Sequence, residues 1–352
     1  MRIFLFLLLS FWISISFSNE MHFIIDTDMG FDDWMAVLYL LKQPVKIDAI
    51  TIDCVGETRC PQGAINAEKL THLAKRDVPI AFGYIRPDTK YNFPVVIRNF
   101  ATKMNIKDFA HLKKDSDIKN ISAAQIILNS IVRAAKKHYQ VSIISIGTAT
   151  NITDAWKLAQ KNHQEKLFRE GLAMIYKGGG AFGEIKNNHL TNQDVPGNIS
   201  IPGLIKSNNT VAEWNIYANA PAMKTLVNAN LPITFIPNNA SNEVRMTKKR
   251  YHELLKIGAK NRIDLFDANA MLSLVPNGNW KKFEGCDFWD TLATISALHP
   301  KIVTEKFQHV PIKIILKANN DYAATWVTNN SAHDVTVYYH VNKKMFYRFL
   351  FT

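Results

Sequence analysis

Residues 23 to 41 read FIIDTDMGFDDWMAVLYLL and place four carboxylates, Asp26, Asp28, Asp32 and Asp33, within eight positions. Like charges a few ångströms apart repel, and in a partly buried crevice a proton, a basic side chain or a cation has to offset that repulsion. No Lys or Arg lies inside the stretch. An all-oxygen donor set with no Cys or His interleaved favours a hard cation, Ca2+ or Mg2+, over zinc. Helix capping explains one or two of the acids, because Asp32 or Asp33 at a helix start is favoured by the dipole. It does not explain four. An EF-hand is excluded, since its final Glu position, counted from Asp26, falls on Val37.

The four acids lie between an apolar β-rich run, HFIIDT, and a helix predicted over 32–42. In open α/β sheets, ligands bind at the carboxyl ends of strands, beside the amino ends of the following helices. The same alternation continues through IDAITIDCV, a helix over 62–76, PIAFGY, a helix over 121–138, VSIISIG, a helix over 151–160 and LAMIYKGG. Repeated strand–helix units predict an α/β fold with an open, mostly parallel sheet and helices on both faces, a Rossmann-like core. The stretch 183–212 is too polar and too broken by Gly, Asn and Pro for a regular element, and loops of that length are functional or disordered. The C-terminal portion reads as β-rich, followed by a short closing helix, NKKMFYRFL. KGGGAFG at 177–183 has the wrong spacing for a phosphate-binding P-loop and reads as close backbone packing at a strand end.

With 352 residues, 47% hydrophobic and 20% charged, the chain can bury a sizeable core. Its first residues, MRIFLFLLLSFWISISFS, combine an early positive charge, an apolar run and small residues at Ser16 and Ser18. They read as a secretory signal peptide over 1–18, ahead of one domain over 19–352, with the mature protein periplasmic or secreted. A retained anchor is disfavoured because the run is short and diluted by serines, so no stable membrane insertion is expected after cleavage. The net charge of +12 falls by one on removal of Arg2. The lysines are scattered over solvated helix faces, so no nucleic-acid partner is expected. Three cysteines are too few for a disulfide framework; Cys54 and Cys60 either pair across a short loop or stay as free buried thiols.

The run DTDMGFDD resembles the amino-terminal signature of the inosine-uridine preferring nucleoside hydrolases, Asp-x-Asp-Pro-Gly-x-Asp-Asp after the first strand, with Met29 where Pro is usual. Further matches follow in the family's order. ISIGTATNITDA (144–155) resembles its Gly-Pro-Leu-Thr-Asn segment, VPGNI with TVAEWNIYANAPA resembles its sugar-binding segment, and FWDTLAT (288–294) resembles its late His-Asp-Pro-Leu-Ala motif. The resemblance covers essentially the whole mature chain. It implies calcium-dependent hydrolysis of the N-glycosidic bond of ribonucleosides, giving ribose and a free base, by a homodimer or homotetramer.

By that resemblance Asp28, Asp33, Asp290 and the Thr150 carbonyl hold Ca2+, and Asp28 is the general base toward the attacking water. Asp32 accepts from a ribose hydroxyl, Asn198, Glu213 and Asn215 fix the sugar, and Asp26 orients the loop. Such an arrangement suits the chemistry, because glycosidic cleavage builds an oxocarbenium-like charge that carboxylates and carboxamides stabilise.

Three departures stand out. Trp289 occupies the position of the late-motif His, and an indole cannot deliver a proton at neutral pH. Activation of the leaving base then falls to another group, to bases that leave unaided or to stacking; His189 in the long loop is one substitute, although a lone loop His is more often a solvated surface residue. Glu57 stands where the family reads Asn, either facing the ribose or pointing away. Asn198 and Glu213 are separated by the insertion ISIPGLIKSNN, and Asn198 is preferred to Asn208 for the sugar. Among the aromatics, Phe288 is assigned to the core and Trp289 to the base pocket, while Trp214 stays open between the two.

Two rivals remain. A haloacid-dehalogenase-type phosphatase would use Asp26 as nucleophile but leave Asp32 and Asp33 idle. A non-catalytic nucleoside- or ribose-binding protein would keep the cation site and lose turnover.

Overall fold

The computed structural model describes residues 20–109, 122–201, 203–282, 286–317, 319–329 and 333–352. The expected signal segment 1–18 lies outside them. No helix among the described residues is long and apolar enough to cross a membrane.

Strand β1 (His22–Thr27) runs into helix α1 (Phe31–Lys42), and the unit repeats through β2 (Lys46–Ile52), α2 (Gln62–Ala74) and β3 (Ile80–Phe82). Helices α3 (Val95–Lys103) and α4 (Ala123–Lys136) precede β4 (Val141–Ser145), α5 (Thr150–Lys161), α6 (Glu165–Gly171) and β5 (Leu172–Gly178). Within 183–212 the regular structure is a small hairpin, β6 (Ile185–Lys186) with β7 (His189–Leu190), as the polar, broken sequence leads one to expect. There follow α7 (Trp214–Ala218), α8 (Ala220–Asn228), β8 (Ile233–Ile236), α9 (Asn238–Ser241), α10 (Lys248–Gly258), α11 (Arg262–Ser273) and α12 (Trp289–Leu298). The closing segment is β9 (Val303–Ile314), β10 (Thr325–Val327), β11 (Asp334–Val341) and α13 (Lys343–Leu350).

One nine-stranded sheet gathers the strands in the order β10-β9-β11-β8-β5-β4-β1-β2-β3. From β3 to β11 every neighbouring pair is parallel; β9 and β10 add an antiparallel edge. The run FII in β1 is buried on both faces, as a central parallel strand must be. Because side chains alternate, Phe23 and Ile25 join the core layer containing α1, α2, α11 and α12, whereas Ile24 faces the layer containing α4, α5 and α8. The chain builds outward from β1 to β3 and then returns to the other side of β1 at β4. That reversal opens a crevice at the carboxyl ends of β1 and β4, the position where such sheets bind ligands.

Candidate active site

The turn after β1 is built from its own polar groups. Met29 adopts a left-handed φ of 57° and is fully buried. Its N–H donates to Thr27 Oγ1 at 2.9 Å, and its carbonyl accepts from Trp34 Nε1 and from Thr58 Oγ1, each at 2.8 Å. Asp33 reaches back to accept from the Gly30 N–H at 3.0 Å and from the Thr27 hydroxyl, so the start of α1 is locked onto the strand end. Helix α12 packs beside α1 and brings Asp290, in its own first turn, to the same place. Carboxylate oxygens of Asp32, Asp33 and Asp290 all lie within 4.8 Å of one another, and the three residues are buried.

Asp28 and Glu57 complete the acidic wall. The Asp28 carboxylate accepts from the Glu57 N–H at 2.9 Å and lies flat against Gly56, where a Cβ would fall 1.9 Å from Asp28 Oδ2. Glu57 turns inward: a Cβ on Gly30 would lie 2.6 Å from Glu57 Oε2 and 2.9 Å from Asp33 Oδ2. Glu57 Oε2 is sealed from solvent with no hydrogen-bond partner among the described residues.

Burial and mutual repulsion push these acids up together. Asp32 rises from 3.8 to about 7 through burial and then Asp33. Asp28 is held well above the usual carboxylate range by burial, then by Asp33 and Glu57. Asp290 and Glu57 are raised well above it too, by burial first and then by Asp32 and Asp33; Asp33 is raised by burial. Such a group of oxygens favours bound positive charge over five separate anions.

Behind this wall, Asp26 orients the loops. Its Oδ1 accepts from Thr51 Oγ1 at 2.7 Å and Asn151 Nδ2 at 2.8 Å, and burial followed by Asp53 lifts its pKa to about 7. Two residues were not singled out from the sequence. Asp53 directly follows β2, and its carboxylate accepts from Thr148 Oγ1 at 2.5 Å, the Thr150 N–H at 3.1 Å and the Val55 N–H at 2.9 Å. Thr150 therefore opens α5 with its amide fixed to Asp53 and its hydroxyl bonded to Asn219 Nδ2 at 2.9 Å. Lys177, 1% exposed, gives its ammonium to the carbonyls of Gly147 at 2.8 Å, Gly178 at 2.5 Å and Ser145 at 3.4 Å, clamping the ends of β4 and β5. The sequence signal for both was a charged residue closing an apolar strand.

The residues expected around the sugar lie on the β4–β5 side. Glu213 caps α7, its carboxylate accepting from the N–H groups of Asn215 at 2.8 Å, Ile216 at 3.2 Å and Gly180 at 3.1 Å. Asn198 Oδ1 accepts from the Trp214 N–H at 3.0 Å, which supports the same helix start. Asn215 Nδ2 donates to the Ile146 carbonyl at 2.9 Å, while its buried Oδ1 has no partner among the described residues. The β4 end joins both halves: Asn215 binds Ile146, and a Cβ on neighbouring Gly147 would lie 3.0 Å from the Asp28 amide nitrogen. Trp289 is half-buried, edge-on to Phe31 at 6.4 Å between ring centres, with its indole N–H unpartnered among the described residues. Phe288 is core, as assigned; Trp214 is buried and stacks on Phe93 at 4.9 Å; His189 is exposed on the hairpin.

The fold and site together define an α/β protein with a buried carboxylate cluster at the switch point of its sheet. A sequence profile described as "Inosine-uridine preferring nucleoside hydrolase" matches residues 23–348, and the chain belongs to that family. It is therefore an N-ribosyl hydrolase acting on nucleosides, which removes the phosphatase reading. Among solved structures, an inosine-uridine preferring nucleoside hydrolase from Bacillus anthracis superposes with a TM-score of 0.74 at 16% identity, covering 94% of this chain and 97% of that one. A purine-preferring ribonucleoside hydrolase from Gardnerella vaginalis gives a TM-score of 0.69 at 21% identity, covering 94% and 96%. At these identities the likeness establishes the fold. No curated protein sequence matches significantly.

Proposed function

We propose that this protein hydrolyses the N-glycosidic bond of ribonucleosides in a calcium-dependent reaction, releasing ribose and a free base, and that it acts after export. The observation that carries the reading is the group of buried carboxylates at the carboxyl end of β1, with Asp32, Asp33 and Asp290 oxygens within 4.8 Å of one another. The Lys177 ammonium binds backbone carbonyls rather than these carboxylates, and its charge acts on Asp26 behind them. An all-oxygen, buried and mutually repelling donor set fits a hard cation.

Asp28, Asp33, Asp290 and the Thr150 carbonyl are the residues that would hold calcium. The chemistry the ion would supply there is electrostatic, a positive charge that offsets the carboxylates and would ease loss of a proton from water. Asp28 takes that proton as general base. Asp32 accepts from a ribose hydroxyl, and Glu57 adds negative charge beside the ring as positive charge builds on it. Asn198, Glu213 and Asn215 orient the sugar, and Trp289 offers its face or N–H to the base.

Release of reducing sugar by residues 19–352 tests this, across purine and pyrimidine ribonucleosides, with and without a calcium chelator. Turnover is expected to require calcium and to fall at least ~10²-fold in Asp28→Ala, the scale of a lost general base. Nucleoside binding without sugar release would favour the non-catalytic binding protein, for which Trp289 and Glu57 are the motivating departures.

A further inference from the structure

We propose that the Cys54–Cys60 disulfide is a positioning element of the active site, holding the β2–α2 loop against Asp28 and the Met29 turn so that the cation and sugar sites are complete only in the oxidised protein. This rests on the function proposed above and adds a covalent requirement to it.

The bridge joins residues six apart in sequence and closes a loop of Val55, Gly56, Glu57, Thr58 and Arg59. Cys54 follows β2 by two residues and Cys60 precedes α2 by two, so the link ties the end of one strand to the start of the helix that follows it. Every contact that the loop makes with Asp28 and the Met29 carbonyl comes from inside the bridge. The Glu57 N–H binds Asp28 Oδ2 at 2.9 Å, the Thr58 N–H binds the Asp28 carbonyl at 3.0 Å, and the Thr58 hydroxyl binds the Met29 carbonyl at 2.8 Å. Gly56 admits the Asp28 carboxylate at a distance no side chain would allow.

The same loop carries Glu57 inward beside Asp33, where both carboxylates crowd the Cα of Gly30. Without closure, the backbone freedom of a loop containing Gly56 lets Glu57 swing outward, and the N–H on Asp28 goes with it. A covalent closure of a short loop removes those open conformations. Cys54 is buried, whereas Cys60 is partly exposed and open to a thiol reagent. Disulfides persist in oxidising compartments, so the bridge and the export expected from residues 1–18 agree.

The test compares oxidised and reduced holoprotein. Dithiothreitol delivers two electrons and two protons, breaking the S–S bond to give two thiols while it closes to its own cyclic disulfide; maleimide labelling then counts three thiols, with Cys286, in place of one. Calorimetric calcium affinity and kcat/KM for a ribonucleoside are both expected to fall about tenfold or more, the cost of losing a group that orients a ligand, with far-UV circular dichroism unchanged and recovery on addition of oxidised glutathione. Cys54→Ser/Cys60→Ser should match the reduced protein and ignore dithiothreitol, and Cys286→Ser should respond as the wild type does. If the double variant does not fold, reduction of the native protein carries the test; if the native bridge resists dithiothreitol, the double variant does.

A three-thiol protein that binds calcium and turns over as the oxidised one does overturns the proposal. Bridge-dependent calcium binding with no sugar release from ribonucleosides in either state would sink the proposed calcium-dependent ribonucleoside reaction and keep the positioning role. Turnover indifferent to the bridge would do the reverse, and an oxidised protein that neither binds calcium nor releases sugar overturns both.

Discussion

At the scale of single residues, Trp289 marks the sharpest departure from the family's chemistry. Its indole N–H is a donor that does not ionise near neutrality, so it can hydrogen-bond a base but not protonate it. His189 is exposed on its hairpin, and no contact joins it to the acidic wall among the described residues. The enzyme should therefore depend on the leaving ability of the aglycone: kcat/KM for p-nitrophenyl riboside is expected to exceed that for inosine by ~10²-fold, the usual contribution of a general acid. Trp289→His should narrow the gap, and steady-state kinetics on both substrates check this; equal values in the wild type would mean another group protonates the base. Asp28, Asp32, Asp33 and Asp290 were legible because their motif spacing is specific. Asp53 and Lys177 were not, because each is one charged residue at a strand end. Only the adjacency of β2, β1, β4 and β5 turns those positions into parts of one site.

At the scale of elements, the helices and strands flanking the site could be read from periodicity, whereas the turns between them could not. HFIIDT and the helix that follows fall where apolar spacing puts them, as do VSIISIG and the helix from Thr150. The IDAITIDCV run ends as a strand at Ile52, since Asp53 turns its carboxylate onto the Val55 amide and the next loop begins. The turn at Met29 is subtler still. The family resemblance puts proline there, yet the left-handed φ of 57° is closed to proline, whose ring fixes φ near −65°. Proline would also delete the N–H that binds Thr27 Oγ1. Met29→Pro, a change toward the family pattern, is expected to destabilise the protein by about 3 kcal/mol. Urea unfolding measures it, and an unchanged midpoint would show that the turn has a second conformation available.

At the scale of the whole molecule, the acid cluster makes stability depend on pH and on bound cation. Asp26 and Asp32 are raised from 3.8 to about 7. Between those values the unfolded chain has lost protons that the folded one keeps, so unfolding becomes easier as pH rises. The calcium-free protein should lose Tm from about pH 4 to about pH 7, and calcium should raise Tm more at pH 8 than at pH 5, because protons and the cation compete for the same oxygens. Scanning calorimetry with and without chelator decides; a calcium-free Tm that climbs through that window would mean the carboxylates are stabilised as anions by the fold itself. The sheet order was legible only as a class, since strand–helix alternation predicts parallel pairing but not that β8 and β11 lie beside each other or that β9 and β10 form an antiparallel edge.

The central place of β1 has a consequence for how the chain is made. This strand is synthesised before the other described strands, yet it lies between β2 and β4, and its second edge is paired only when Val141–Ser145 has been made. The Asp290 helix packs on α1 later still. Until then a run of exposed FII waits with open hydrogen-bonding edges, the kind of segment that joins other chains. A topology with so many distant contacts folds slowly. The solubility of the nascent protein during expression is therefore expected to be governed by that wait more than by the stability of the finished fold, and co-expressed chaperones are expected to raise it.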